Sequence, residues 1–584
     1  MRIEKIRIKG FRNFDDAEIF LQPKTLIIGA NDVGKTNLLY ALRLLFDKSL
    51  NEHDLELTDS DYNAYSGAES IEITVTICGI TEECLLSTFG GSIKDETTVI
   101  RYTNSKNGQY SIWIGYDETV LEEQSTRQYI KRLNMQCVDT NRDLFGFLKR
   151  ERIQILRMAK ERLDKEAKEA DDVKTGEIQS KLNDINSQVS SLNYVASALE
   201  SVNTELAQLS IHNEDQKVKF VAGESDAEKL LDNLILSYSS DQGPLAIGGD
   251  GRNNQIFLAT WIAKQNIQKN IDHVTFFAVE EPEAHLHPHQ QRKLSKYIQS
   301  NFNDQILITT HSPHIASKFE PDSIIRLHTV NKYTHVACGG CSQLLKAEFE
   351  KFGYRLNALS AEIFFSDGVF LVEGVSEVLF YTALAQEIGV DLDRLNISIL
   401  AVEGVGFKPY VAICDALKIP WVLRTDNDIF SKPNKAPTKD YYAGISRIAG
   451  ILSQIRNADE PINQYWQQHK DENEWGHQKS IPATAIALND YFRAQATVYG
   501  LYVSDVDLEM DLAKSDLYDD LKAYYRKRTV TTLVKAMQTH KAQNMMSFLT
   551  SEHTKLGKIQ GAEVCAPLLA LKKTVEEGSH PAHD

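Results

Sequence analysis

Two kinds of side-chain chemistry can be read along the 584 residues, and the first is phosphate binding. Gly29-Ala-Asn31-Asp-Val-Gly34-Lys35-Thr36 combines glycines, which let backbone N–H groups curl round phosphate oxygens, with a lysine for the β/γ charge and a hydroxyl that ligates Mg²⁺. Thr275-Phe-Phe-Ala-Val-Glu280-Glu281-Pro-Glu283 is an apolar run ending in adjacent carboxylates. One can hold Mg²⁺ through water while the next polarises the attacking water. Ile306-Leu-Ile-Thr-Thr-His311 ends in a histidine able to reach a γ-phosphate, and Gly248-Gly249-Asp250-Gly251-Arg252 offers further backbone donors. The second chemistry is metal binding. Val369-Phe-Leu-Val-Glu373-Gly-Val-Ser-Glu377 sets two glutamates one helical turn apart, and Trp421-Val-Leu-Arg-Thr-Asp426-Asn-Asp428 sets two aspartates on one face. Hard oxygens converging at strand ends suit Mg²⁺ or Mn²⁺.

Each of these motifs needs a strand that delivers it to a loop. Ile3, Ile6 and Ile8 alternate, Thr25-Leu-Ile-Ile28 is an apolar strand, and Leu38, Leu39, Leu42 and Leu45 recur at helical spacing beyond the glycine loop. Ile71–Ile77 reads as part of an antiparallel sheet. Strands are expected at Val274–Val279 and Gln305–Thr309, with a helix near 288–300 between them. A second series follows, with strands Gly368–Val372, Ile397–Val402, Trp421–Thr425 and Thr497–Val503, and helices near 376–388 and 407–417. The chain is thus α/β, with two such units in series. From about 150 the texture turns polar, and Leu182, Ile185, Val189, Leu192, Ala196, Leu199, Val202, Leu206 and Leu209 follow a three-then-four spacing. That stretch reads as a helical hairpin or coiled coil.

Composition limits the partners. Lys and Arg total 64 against 81 Asp and Glu, a net charge of −17, so nucleic-acid contact must be local rather than spread over a basic coat. No apolar run is long enough to cross a bilayer, and the start of the chain lacks a signal-peptide pattern, so a cytoplasmic location away from membranes is expected. Seven cysteines argue against a disulfide framework. Cys338-Gly-Gly-Cys341 reads as a turn with buried thiols, because no second Cys/His pair completes a zinc site. The densest basic stretch, Lys522-Ala-Tyr-Tyr-Arg526-Lys527-Arg528, contains aromatics and is the candidate phosphate-tracking surface.

Taken in order, Ile8-Lys-Gly-Phe-Arg12-Asn-Phe14, the phosphate loop, Gly249-Asp-Gly251 and Glu280-Glu281-Pro-Glu283 around a coiled-coil segment resemble the ABC-type ATPase heads of the RecF/SMC/Rad50 class. The two acidic pairs, with Val402-Glu403-Gly404-Val-Gly406 between them, resemble a Toprim domain. A head followed by Toprim is the layout of the OLD (overcoming lysogenization defect) family. Within it, Thr425-Asp-Asn-Asp428, Tyr502-Val-Ser-Asp-Val-Asp507-Leu-Glu509-Met-Asp511 and Lys541 look most like the Gabija anti-phage branch.

The resemblance implies a head over 1–150 and 216–347 and a helical dimerisation insertion over 151–215. It also implies a Toprim domain over 348–512, interrupted at about 429–496, and a helical end over 513–584 carrying Lys541. ATP is expected on Gly29, Asn31, Gly34, Lys35, Thr36, Gly249, Gly251, Glu280, Glu281 and His311. Glu373 is then the metal-linked base, Asp426 and Asp428 serve one Mg²⁺ or Mn²⁺, and Glu377, Asp507 and Glu509 serve the other. Lys541 neutralises charge in the transition state, while Arg526, Lys527 and Arg528 hold DNA. The implied activity is a nucleotide-gated DNA endonuclease, at least dimeric because one head's signature closes another's ATP site, with a helicase-like partner. Cleavage of RNA or tRNA, or an ATP-driven repair scaffold with an inactive Toprim, are the competing readings.

Overall fold

The computed structural model describes residues 1–106, 108–139, 156–157, 159–161, 163–209, 226–232, 238–240, 243–245, 250–268, 273–302, 304–341, 361–403, 406–432 and 438–577. Gly248, Gly249, Gly404 and the 347/348 boundary lie outside the described residues. The chain divides into two compact units, one of 1–137, 273–283 and 288–584, the other of 138–272 and 284–287.

In the first unit, β1 (Arg2–Phe11), β2 (Phe14–Phe20), β4 (Ser70–Cys78), β5 (Thr98–Ser105), β6 (Ser111–Asp117) and β7 (Val120–Gln124) form an antiparallel sheet ordered β2-β1-β4-β5-β6-β7. Alternation explains it: Ile3, Ile6, Ile8, Ile71, Ile73, Val75 and Ile77 all point into one core. A second sheet is ordered β14-β13-β3-β12-β11-β8, comprising β3 (Lys24–Ile28), β8 (Leu133–Val138), β11 (Val274–Glu280), β12 (Ile306–Thr309), β13 (Ile324–Val330) and β14 (Tyr333–Val336). Parallel β11, β12, β3 and β13 bring the acidic run, the histidine and the phosphate loop to one edge.

A third, parallel sheet, ordered β16-β15-β17-β21, is made of β15 (Gly368–Val372), β16 (Ile397–Ala401), β17 (Trp421–Thr425) and β21 (Leu501–Val503). Every residue of β15 and β17 is buried, as helix-covered parallel strands require. The expected strand Thr497–Val503 begins only at Leu501, because Ala496–Tyr499 winds into a 3₁₀ turn ended by Gly500 at φ +73°. The 429–496 segment is built of β18 (Ile429–Lys432), β19 (Lys439–Tyr442) and β20 (Glu474–Gly476) as an antiparallel sheet, with helices Ala443–Ile455, Pro461–His469 and Ala483–Gln495. Cys338, at φ +52°, is exposed and its thiol donates to the Ala416 carbonyl, while Cys341 is half-buried against the core; a turn is present, but neither thiol is fully inside, contrary to expectation.

The second unit holds helices Lys165–Ser190 and Asn193–Leu209, a two-stranded ladder of β9 (Tyr238–Ser240) and β10 (Gly243–Leu245), and the helix Asp250–Gln268. The apolar stripe is interrupted at Ser191–Leu192, so two helices carry it. Val195 and Leu199 are buried, while Ile185, Leu192 and Val202 remain exposed.

Candidate functional site

Gly29 opens the phosphate loop at φ +151°, and a side chain there would meet the Leu327 carbonyl. Gly34, at φ +107°, precedes the helix Lys35–Phe46, and a Cβ at that position would lie 2.3 Å from the Asn13 amide. Asn13 donates to the Val33 carbonyl at 2.9 Å and to the Thr334 hydroxyl at 2.6 Å, and accepts from Asn37 at 2.8 Å. This network shapes the loop, and sequence reading quoted Asn13 without giving it a role. Lys35 folds onto the loop, donating to the carbonyls of Gly29 (3.0 Å) and Ala30 (2.7 Å); burial pushes its ammonium down to about 8. A phosphate is the acceptor that would draw it out.

Facing the loop, Glu281 N donates to the Thr309 carbonyl, and its carboxylate stands 3.4 Å from His311 Nε2. Burial, then Lys35, lowers the pKa of His311. Glu283, outside the expected site, is more deeply buried and accepts from the Thr310 hydroxyl (2.6 Å) and His311 N (2.7 Å), so it holds the histidine's backbone. Against the burial of Lys35, the negative charges of Glu281, Asp32, Glu283 and Glu280 act to raise the pKa of its ammonium. In the second unit, Gly251 approaches so closely that a side chain would come 2.3 Å from the His285 carbonyl, and Asn254 donates to Ala284 O at 2.7 Å.

The other site lies at the carboxyl ends of β15, β17 and β21. Glu373 Oε1 accepts from Asp426 N at 2.9 Å and from the Thr425 hydroxyl at 2.5 Å, and is ion-paired with Arg447. Buried Asp507 caps the helix Leu508–Ala513 through Met510 N (2.8 Å), and its other oxygen accepts from Gln538 at 2.6 Å. Glu509 follows on that helix. Lys541 Nζ stands among three acids, 3.0 Å from Glu509 and 3.8 Å from both Asp426 and Asp507. Glu377 is turned to the Gly374 N–H at 3.1 Å, and Asp428 stands half-exposed.

Electrostatics sets this pocket apart. Burial, and then repulsion from Glu373 and Glu377, push the Asp426 carboxyl up to about 8. Burial also raises Glu377, Glu509 and Asp428. Against its own burial, Glu509, Asp426 and Asp507 hold Lys541 above its usual value. So many acids in a poorly solvated space resist being anions together, and a positive ion relieves them. The donor set is entirely hard oxygen, which fits Mg²⁺ or Mn²⁺ and not zinc. Among the described residues no three such side chains close round one point at ligand distance; the acids are gathered about the Lys541 and Arg447 cations instead.

Of the six acids and Lys541 expected at one site, Asp426, Asp507 and Glu509 stand about Lys541, while Arg447 and the buried pair Arg424–Asp511 are given no role by the sequence. Arg447 lies in the segment taken as an insertion and belongs to no motif. In the basic stretch Arg526, Lys527 and Arg528 are exposed, while Tyr524 and Tyr525 are partly buried and pack on Phe548.

A family model for the AAA ATPase domain matches residues 1–155 and 148–316, and one for the overcoming lysogenization defect protein-like TOPRIM domain matches 364–428. Endonuclease GajA of Bacillus cereus (strain VD045) is 24% identical over 580 residues, 95% of this chain and 96% of that protein. OLD nuclease of Thermus scotoductus (strain ATCC 700910 / SA-01) is 23% identical over 464 residues, covering 74% and 83%. Among solved structures, an SMC head bound to the C-winged helix domain of ScpA matches at 16% identity with a TM-score of 0.33, over 57% of this chain and 97% of that one. No helix among the described residues is long and apolar enough to cross a membrane.

Proposed function

The chain belongs to the AAA ATPase domain family and carries an OLD-like TOPRIM domain, and from that premise we propose a divalent-metal-dependent DNA endonuclease of anti-phage defence, gated by nucleotide at the ATPase head. The observation that carries the reading is the gathering of Asp426, Asp507 and Glu509 about Lys541, with Glu373 bonded to Asp426 N beside them. Two Mg²⁺ or Mn²⁺ ions bound there would activate a water and stabilise the leaving oxygen. Glu373, Asp426 and Asp428 would hold one, and Glu377, Asp507 and Glu509 the other. Glu373 would take the water's proton. Lys541 turns its charge from the acids to the non-bridging oxygens of the pentacoordinate phosphorus as the P–O bond of the backbone breaks. Exposed Arg526, Lys527 and Arg528 supply phosphate contacts outside the pocket.

MgATP binds through Gly29, Asn31, Gly34, Lys35 and Thr36, with Glu280, Glu281 and His311 on the neighbouring strands. Gly249 and Gly251 close the site of a second copy. The domain division 1–150, 151–215, 216–347, 348–512 and 513–584 is part of the proposal, as are assembly into a dimer or tetramer through the head and the helical insertion and a helicase-like partner. Exposed Ile185, Leu192 and Val202 on the insertion support self-association. The Endonuclease GajA and OLD nuclease relatives support the nuclease class.

The test is cleavage of plasmid and linear DNA in Mg²⁺ or Mn²⁺, beside purified RNA, at zero and millimolar ATP. Wild type, Glu373→Ala and Lys35→Ala are compared. DNA cleavage lost in Glu373→Ala and an ATP response lost in Lys35→Ala are expected. Cleavage of RNA alone, or undiminished cutting by Glu373→Ala, would overturn the reading.

A further inference from the structure

Arg447 is placed by backbone rather than by chance rotamer. The helix that carries it, Ala443–Ile455, starts with Ala443 N donating to the Asp428 carbonyl at 2.9 Å. A side chain on Gly444 would lie 2.6 Å from the Asp426 carbonyl and 2.7 Å from Asn427 Oδ1, so the helix start is pressed against the acidic loop. One turn later Arg447 reaches back over the pocket. A single nitrogen, Nη1, serves the Glu373 carboxylate, the Thr425 hydroxyl and, at 3.2 Å, the Asp426 carbonyl.

A guanidinium has five N–H donors in a planar fork. Those on Nη2 and Nε have no partner among the described residues, and the side chain is 31% exposed at the rim. Lys541 meets the Asp426 carboxylate together with Asp507 and Glu509, whereas Arg447 meets the Asp426 backbone carbonyl together with Glu373. We propose that Arg447 is a ligand of the substrate backbone: Nη1 orients Glu373 while Nη2 and Nε grip non-bridging oxygens of a DNA phosphate, opposite Lys541. The fork suits a phosphodiester, which presents two such oxygens, better than a lysine does. Arg447 transfers no proton in this role. This deepens the nuclease reading and rests on it.

The experiment uses the full chain and a fluorescein-labelled DNA duplex, with binding followed by anisotropy in EDTA across a salt series and cleavage followed in Mn²⁺. Arg447→Ala is expected to weaken duplex binding about tenfold and to lower the slope of log affinity against log salt by about one. Its KM should rise by a larger factor than its kcat falls. Arg447→Lys should restore the salt slope and only part of the affinity, and Glu373→Gln should bind duplex at least as tightly as wild type while failing to cut. Wild-type affinity and salt slope in Arg447→Ala, with only kcat reduced, would overturn the proposal and leave Arg447 a positioning residue for Glu373. A wild type that binds duplex through Arg447 but never cuts it would overturn the nuclease reading alone; one that does not bind duplex overturns both. Thermal unfolding of each variant is read alongside, and Arg447→Gln carries the comparison where the alanine variant does not fold.

Discussion

Arg326, on the strand beside the phosphate-loop strand, donates to the Leu417 carbonyl at 3.1 Å, just before the strand that ends in Asp426. The same guanidinium reaches the carbonyls of Lys418 (3.3 Å) and Ser366 (3.0 Å), the latter two residues ahead of β15 and so of Glu373. Its neighbour Leu327 supplies the carbonyl against which Gly29 is packed. One buried side chain therefore touches the entries to both acid-bearing strands and adjoins the first glycine of the nucleotide loop. If nucleotide gates cleavage as proposed, Arg326 offers a physical route from the loop to the acids.

Arg326→Met should leave the buried carbonyls of Leu417 and Ser366 and the partly buried one of Lys418 without their donor, at a cost of about 3 kcal/mol. The expected outcome is a lowered thermal midpoint together with cleavage that no longer responds to ATP. A destabilised variant that keeps the full ATP response would place the coupling elsewhere.

Lys541→Met removes the charge that neutralises Glu509, Asp426 and Asp507. Cleavage should fall by about a hundredfold or more. In EDTA the variant should melt below wild type, and Mn²⁺ should raise its midpoint by more than it raises that of wild type, because the acids then depend on the ion alone. Differential scanning fluorimetry reads both; an equal or smaller Mn²⁺ increment would refute the account.

Asp511 is ion-paired with Arg424, which is only 5% exposed, and its second oxygen accepts from Asp505 N at 3.1 Å. Asp511→Ala strands a buried guanidinium and should cost roughly 3–5 kcal/mol. Arg424→Met with Asp511→Ala should be less destabilised than the two single changes summed. Because the pair ties β17 to the helix bearing Glu509, cleavage should drop in Asp511→Ala even at temperatures where it is folded. Denaturation and single-turnover rates check this together.

Asn13→Ala should leave the fold nearly intact, at about 1 kcal/mol, while weakening nucleotide binding about tenfold, since Val33 O loses a donor that shapes the loop. Gly34→Ala should abolish binding, its Cβ colliding with Asn13 at a backbone φ of +107°. Fluorescent-nucleotide titration distinguishes the two; tight binding by Gly34→Ala would mean that the loop opens farther than its contacts allow.

The phosphate loop, the Glu280-Glu281-Pro-Glu283 strand end and the Glu373 and Asp426 strand ends were legible because each is local: an apolar run of strand length, then a residue type whose chemistry is plain. The parallel strands Gly368–Val372 and Trp421–Thr425 lie where their unbroken apolar composition put them. Thr497–Gly500 misled because β-branched Thr497 and Val498 favour a strand, yet Gly500 in a left-handed conformation closes a 3₁₀ turn there. A run of basic and aromatic residues does not reveal which way each side chain turns: the rings of Tyr524 and Tyr525 pack on Phe548, while Arg526, Lys527 and Arg528 face solvent.

By itself the order of residues determined the α/β class, the glycine loop and the acidic ends of the strands, since strand ends and loop glycines are dictated by neighbours a few positions away. Only the tertiary structure decided that Lys541 stands among acids from two other segments, that Arg447 reaches over Glu373 from a stretch without any motif, and that Arg326 joins the two sheets. Such contacts join residues 32 or more positions apart, and no local periodicity encodes them: they are set by how buried strands stack and by which buried charges must find a partner.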